Sequence, residues 1–143
     1  MYRYHYTKQS HLDRILRGGL PASDRLTDAD HNPAVTWLAE SANPSTQSRA
    51  GREFADHIHP GPGIRPPGYS WNLPDFARDG DIRVKVRIRK EQQFPWLWWT
   101  AYCSGVMYGN IAALSEFNDG WNVATKDVKP NQVVNVYKPT FPR

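Results

Sequence analysis

The chain has 143 residues, enough for one domain with a real core and too few for two. Its hydrophobic share of 39% and aromatic share of 13% exclude an intrinsically disordered chain. The net charge of +4 admits an anionic partner such as nucleic acid, but so small an excess also fits a surface of mixed charge. The single cysteine, Cys103, rules out an intrachain disulfide and points to a reducing compartment, the cytoplasm. Its apolar, aromatic surroundings predict a buried small hydrophobe and not a nucleophile. The N-terminus has neither the basic nor the apolar region of a signal peptide, and no apolar run approaches membrane-spanning length. Six Trp in so short a chain predict that some line a cleft, since indole N–H groups need partners.

Tyr2, Tyr4 and Tyr6 alternate with Arg3, His5 and Thr7, which predicts a strand with His5 on the face opposite Tyr4 and Tyr6. A short helix should follow, with Ser10 as its cap and Asp13 as the capping-box partner. Leu12, Ile15 and Leu16 make its apolar stripe, and Gly18-Gly19 its left-handed stop. A polar His-Tyr-Thr thus sits where a strand turns into a helix, a fixed backbone at an open edge.

The Asp-rich stretch 24–32 reads as a loop, and Pro33 to Ala39 as a short strand buried on both faces. From Glu40 to Gly51 the composition turns to Ser, Asn, Pro and Thr, a loop running into a short helix around Arg49–His57. His57 and His59 are two apart, which does not put two ligands on one helix face, and no metal site is expected. His59 to Gly68 holds four Pro and three Gly in ten residues. It should be a surface loop, either a flap over a cleft or a tolerated insertion.

The clearest strand is Asp81 to Lys90. Ile82, Val84, Val86 and Ile88 fall on one face, and Arg83, Lys85, Arg87 and Arg89 on the other. The basic row is expected to be a solvated outer face, since no aromatics interleave within it for base stacking. Phe94 to Trp99 reads as core or a hydrophobic wall, and Ile111, Leu114 and Ser115 as part of a short helix. Trp121 to Thr125 and Gln132 to Tyr137 are strands around a turn at Asp127–Asn131. This order predicts a single α+β domain, residues 1–143, with a mainly antiparallel sheet.

Two stretches together resemble the ADP-ribosyltransferase superfamily, and more narrowly its small bacterial and phage members that begin with a His-Tyr-Thr strand. The first is Tyr4-His5-Tyr6-Thr7 with Ile15-Leu16-Arg17-Gly18-Gly19-Leu20 and Ser23. The second is Val35-Thr36-Trp37-Leu38-Ala39 running into Glu40-Ser41-Ala42-Asn43-Pro44. The end of the chain, Trp121 to Tyr137, is similar to the last strand pair of that fold. The resemblance covers about half the chain and implies mainly antiparallel sheets, split around an NAD-binding cleft, with a few short helices. It implies that His5 bonds a ribose hydroxyl of NAD, that the backbone of Tyr6 or Thr7 holds the nicotinamide amide, and that Trp37 stacks on the nicotinamide ring. His5 and Trp37 would then line one cleft. The family's third member is a Glu at the start of a late strand, which stabilises an oxocarbenium-like transition state. The matching region here has no Glu at the strand start, and its nearest carboxylates are Glu116 and Asp119.

The expected activity is mono-ADP-ribosyl transfer from NAD, as substrate, to an unknown acceptor such as a protein or nucleic acid, by a monomeric toxin or phage effector. Three alternatives stay open. They are an RNA 2′-phosphotransferase of the same fold, a binding module that kept the cleft without the chemistry, and a basic nucleic-acid-binding domain.

Overall fold

The structure is a computed structural model and describes residues 1–26, 29–30, 34–42, 81–103 and 120–138. Its elements are β1 (Tyr2–Lys8), α1 (Leu12–Gly18), β2 (Trp37–Ala39), β3 (Asp81–Arg87), β4 (Gln93–Pro95), α2 (Trp96–Cys103), β5 (Trp121–Ala124) and β6 (Val133–Tyr137). Short 3-10 turns at Gln9–His11, Lys90–Gln92 and Pro130–Gln132 precede α1, β4 and β6. The six strands form one sheet in the order β4-β5-β2-β1-β3-β6, antiparallel at every pairing. With two short helices among the described residues, this is an α+β fold.

Each face of the sheet carries its own core. On the first face, Ala39, Trp121 and Val123 pack against Trp96, Leu97 and Ala101 of α2, with Tyr4, Tyr6 and Trp37 at the margin. On the second, Ile15 of α1 and Leu20 pack on Leu38, Ile82, Val84, Val86 and Ala124. Strand alternation explains the division, because Ile82, Val84, Val86 and Ile88 share one side and are at most 3% exposed. Burying several such side chains, at about 1.5–3 kcal/mol each, makes β3 the anchor of the second face. The six strands form a continuous sheet among the described residues, where two split sheets were expected. The link between its halves is narrow. β1 and β3 share seven register pairs, whereas β1 and β2 share only Tyr4–Ala39.

Several local expectations are corrected. Ser10 does not cap α1, because β1 runs on to Lys8 and Ser10 is consumed in the 3-10 turn. His11 takes the cap position without a side-chain cap bond. Leu16 lies outside the apolar stripe and is 48% exposed, since so short a helix reaches the sheet mainly through Ile15. Gly19 does take a positive φ of 75°, but its ψ of −157° sends the chain out extended and not into a left-handed cap. A Cβ there would collide with the Val128 carbonyl oxygen, which lies close because Leu20 and Val128 exchange two main-chain bonds of 2.9 Å.

The aromatic run divides. Gln93–Pro95 pairs with β5, and Pro95 is followed at once by α2, which buries Trp96, Leu97, Thr100 and Ala101 on one side. Cys103 ends α2 exposed and not buried, although partial desolvation still raises its thiol pKa. The expected helices at 49–57 and around 111–115 and the Pro/Gly-rich stretch 59–68 lie outside the described residues. Among the described residues, no helix is long and apolar enough to cross a membrane.

Candidate functional site

β1 lies near the centre of the sheet, with β2 on one side and β3 on the other. The two stretches that carried the family resemblance, distant in sequence, are therefore direct neighbours. At their junction His5 Nδ1 lies 2.9 Å from the main-chain oxygen of Trp37. The geometry has a simple origin. Carbonyls alternate in direction along a strand, and that of Thr36 already accepts from Ala124 on β5. The Trp37 carbonyl therefore faces β1, beyond the one registered pair, and the imidazole supplies its partner.

That bond settles the tautomer. A carbonyl only accepts, so Nδ1 carries the hydrogen and Nε2 keeps its lone pair in the neutral ring. Burial pushes the His5 pKa below the ordinary imidazole value. The bond to Trp37 opposes that shift and the neighbouring His11 adds to it. At neutral pH His5 is thus an uncharged ring with a single acceptor left.

The expected sharing of one cleft by the His5 and Trp37 side chains is corrected by the register. Tyr4 pairs with Ala39, so Tyr4, Tyr6, Ala39 and Trp37 lie on the first face and His5 on the second, with Thr7. The Thr7 hydroxyl lies 2.9 Å from His11 Nδ1, which ties that end of β1 to the turn before α1. The Trp37 indole packs edge-on against Trp96 at 6.0 Å and Trp121 at 6.2 Å between ring centroids. It belongs to the aromatic core of the first face, and its contact with His5 runs through the main chain. Within that core the indole N–H groups of Trp96, Trp98 and Trp99 are buried with no hydrogen-bond partner among the described residues.

Tyr6 has a definite task. Its hydroxyl donates to the Ala42 carbonyl, which also accepts from an Arg83 guanidinium nitrogen at 3.1 Å. The segment leaving β2 is thereby pinned across β1 and β3. Burial raises the Tyr6 pKa, and Arg83 opposes the shift. The candidate catalytic carboxylates, Glu116 and Asp119, lie outside the described residues.

A carboxylate that the sequence reading left without a role stands at the end of β2. Glu40 Oε1 accepts from Asn122 Nδ2 at 3.1 Å and lies 3.9 Å from the Arg3 guanidinium, whose Nε donates to Gln93 at 2.8 Å. These bonds join four strands or strand ends on the second face. Its position directly after the Val-Thr-Trp-Leu-Ala strand was the only sequence signal. A groove of about 1170 Å³ lies elsewhere, lined by Arg87 to Gln92, Lys126, Asp127 and Lys129 among others, and contains none of His5, Tyr6, Thr7 or Trp37.

No protein-family model and no curated protein matches this chain. Among solved structures it is similar to EcPltA, with a TM-score of 0.48 and 13% identity, over 99% of this chain and 77% of that one. That likeness is too distant to carry an activity.

Proposed function

We propose that the chain is a mono-ADP-ribosyltransferase that cleaves NAD and passes ADP-ribose to an acceptor nucleophile. The observation that supports this most is the state of His5. A neutral imidazole with Nδ1–H committed to a main-chain carbonyl has one lone pair, on Nε2, which suits a neutral hydroxyl donor such as a ribose OH. A lone pair at that position favours a neutral hydroxyl over an anionic oxygen as its partner. In the proposed reaction the C1′–nitrogen bond breaks, nicotinamide leaves with the electron pair, and the acceptor attacks C1′. Glu116 or Asp119 would stabilise the positive charge that develops on the sugar. The narrow β1–β2 junction, where the two family-like stretches meet, is where NAD would enter.

The test uses purified protein with NAD labelled on the nicotinamide in one arm and on the adenylate in another, with a cell extract as acceptor source. Nicotinamide release and label transfer are expected. His5→Ala should weaken NAD binding by about one or two hydrogen bonds, ~1–3 kcal/mol, with the domain still folded. Neither nicotinamide release nor transfer from a protein that binds NAD would leave a binding module. No NAD binding at all would end the reading.

A further inference from the structure

The basic row of β3 is not the plain solvated face that its own sequence predicts. Its aromatics come from the neighbouring strands. The register places Tyr4 beside Lys85, Tyr2 beside Arg87, and Tyr137 of β6 beside Arg83, all on the first face. The Arg83 guanidinium lies 4.4 Å from the centroid of the Tyr137 ring and 5.5 Å from that of Tyr4, and the Lys85 ammonium lies 4.3 Å from that of Tyr2. These are cation–π distances. Tyr2 and Tyr137 remain 46% and 48% exposed, Tyr2 at the Arg87 end of the row and Tyr137 beside Arg83, the residue that also bonds Ala42.

The helix α2 covers the other half of the same face, over β2 and β5. Among the described residues, and beyond the Ala42 segment held by Tyr6 and Arg83, the first face of β1, β3 and β6 carries a strip in which the exposed rings of Tyr2 and Tyr137 lie beside the cations Arg83, Lys85 and Arg87. Arg87 carries the strip over the end of β3 into the 1170 Å³ groove. There Arg89, Lys90, Lys126 and Lys129 join it, against only Glu91 and Asp127. The Asp127 carboxylate is already engaged, accepting from the Ala22 N–H at 2.8 Å.

We propose that this strip and groove form a binding surface for single-stranded nucleic acid. Tyrosine rings whose neighbours are cations offer stacking platforms for bases, and the continuous positive track suits a phosphate backbone. A duplex hides its base faces, so a surface of rings and cations is better matched by single strands. The surface meets rings and phosphates, which DNA and RNA share, so the two should bind alike. The inference stands apart from the proposed NAD chemistry and is tested without NAD.

The experiment is fluorescence anisotropy with a labelled mixed-sequence 20-mer, as single-stranded DNA, single-stranded RNA and duplex DNA, with heparin as a polyanion without bases. Single strands should bind more tightly than the duplex, with DNA and RNA within a few-fold of each other. With three or four phosphates neutralised, affinity should fall about thirtyfold over a fourfold rise in salt. Tyr137→Ala should weaken single-strand binding on the order of tenfold and leave heparin binding unchanged, whereas Tyr137→Phe should stay near the wild type. Combining Lys85→Ala with Arg87→Ala should reduce the salt slope by about 1.4. Both tyrosines are exposed, and a thermal melt of each variant separates binding from folding. The proposal is overturned if the duplex binds as tightly as the single strand. It is equally overturned if Tyr2→Ala and Tyr137→Ala in a folded protein leave single-strand binding unchanged, or if no oligonucleotide binds at low salt.

Discussion

Gln92 and Gln132 close a reciprocal amide pair that joins two 3-10 turns about forty positions apart, and the pair should be worth more than its surface location implies. Gln92 is only 8% exposed. Its Oε1 accepts from Gln132 Nε2 at 2.7 Å and from the Arg89 N–H at 2.8 Å. Its Nε2 donates to Gln132 Oε1 at 2.9 Å and to the Asp127 carbonyl at 3.0 Å. Gln132 completes the set, accepting from the Lys129 N–H at 2.8 Å and donating to the Arg87 carbonyl at 3.0 Å. Both amides use their full capacity.

Gln92→Ala removes four of these bonds. At roughly 1 kcal/mol net per bond the loss would be about 4 kcal/mol. Arg89 and Asp127 are exposed, however, and water can satisfy their freed groups. The expected cost is therefore ~2–3 kcal/mol, a fall in Tm on the order of 10 °C for a domain of this size. Gln132→Ala should cost somewhat less, being more exposed. The two mutual bonds vanish in either single variant, so the double variant should cost ~1–2 kcal/mol less than the sum of the singles. Equilibrium urea unfolding of the four proteins measures this. Gln92→Glu supplies a shape control. A carboxylate cannot donate to Asp127 or Gln132, so that variant should be weaker at neutral than at mildly acidic pH. Single effects below ~0.5 kcal/mol, or additivity within that margin, would refute the reasoning.

Gly19→Ala should destabilise the domain by more than ~2 kcal/mol in the same assay, because positive φ and the Val128 carbonyl act together. A cost under ~1 kcal/mol would mean that the Leu20–Val128 contact is loose. His5 should make stability depend on pH. Its folded pKa is lowered, so the unfolded chain binds its proton first. Stability is then fully present above the ordinary imidazole pKa of about 6.5 and is lost as the pH falls through the lower folded value. The urea midpoint should drop less over that interval in His5→Asn than in the wild type, and equal drops would count against a neutral, half-buried His5.

Local pattern alone determined much of this molecule. Tyr2 to Lys8 is a strand where the period of two put it, and the strand expected over Asp81 to Lys90 runs from Asp81 to Arg87 before Lys90 enters a 3-10 turn; the buried row Ile82-Val84-Val86-Ile88 was legible because alternation is a property of the chain itself. The same holds for His5 standing opposite Tyr4 and Tyr6. Which face Trp37 takes was not legible, because that depends on the Tyr4–Ala39 pairing, and a slip of one residue would have reversed it. The exposure of Leu16 and Cys103 followed from how far two short helices reach over the sheet, which their own composition does not encode. The strand order β4-β5-β2-β1-β3-β6 is set by contacts between distant segments, and it alone brings Tyr2, Tyr4 and Tyr137 beside the β3 cations and the two glutamines into one pair. Periodicity reports the face of a residue within its own strand; only pairing decides which residues of other strands share that face.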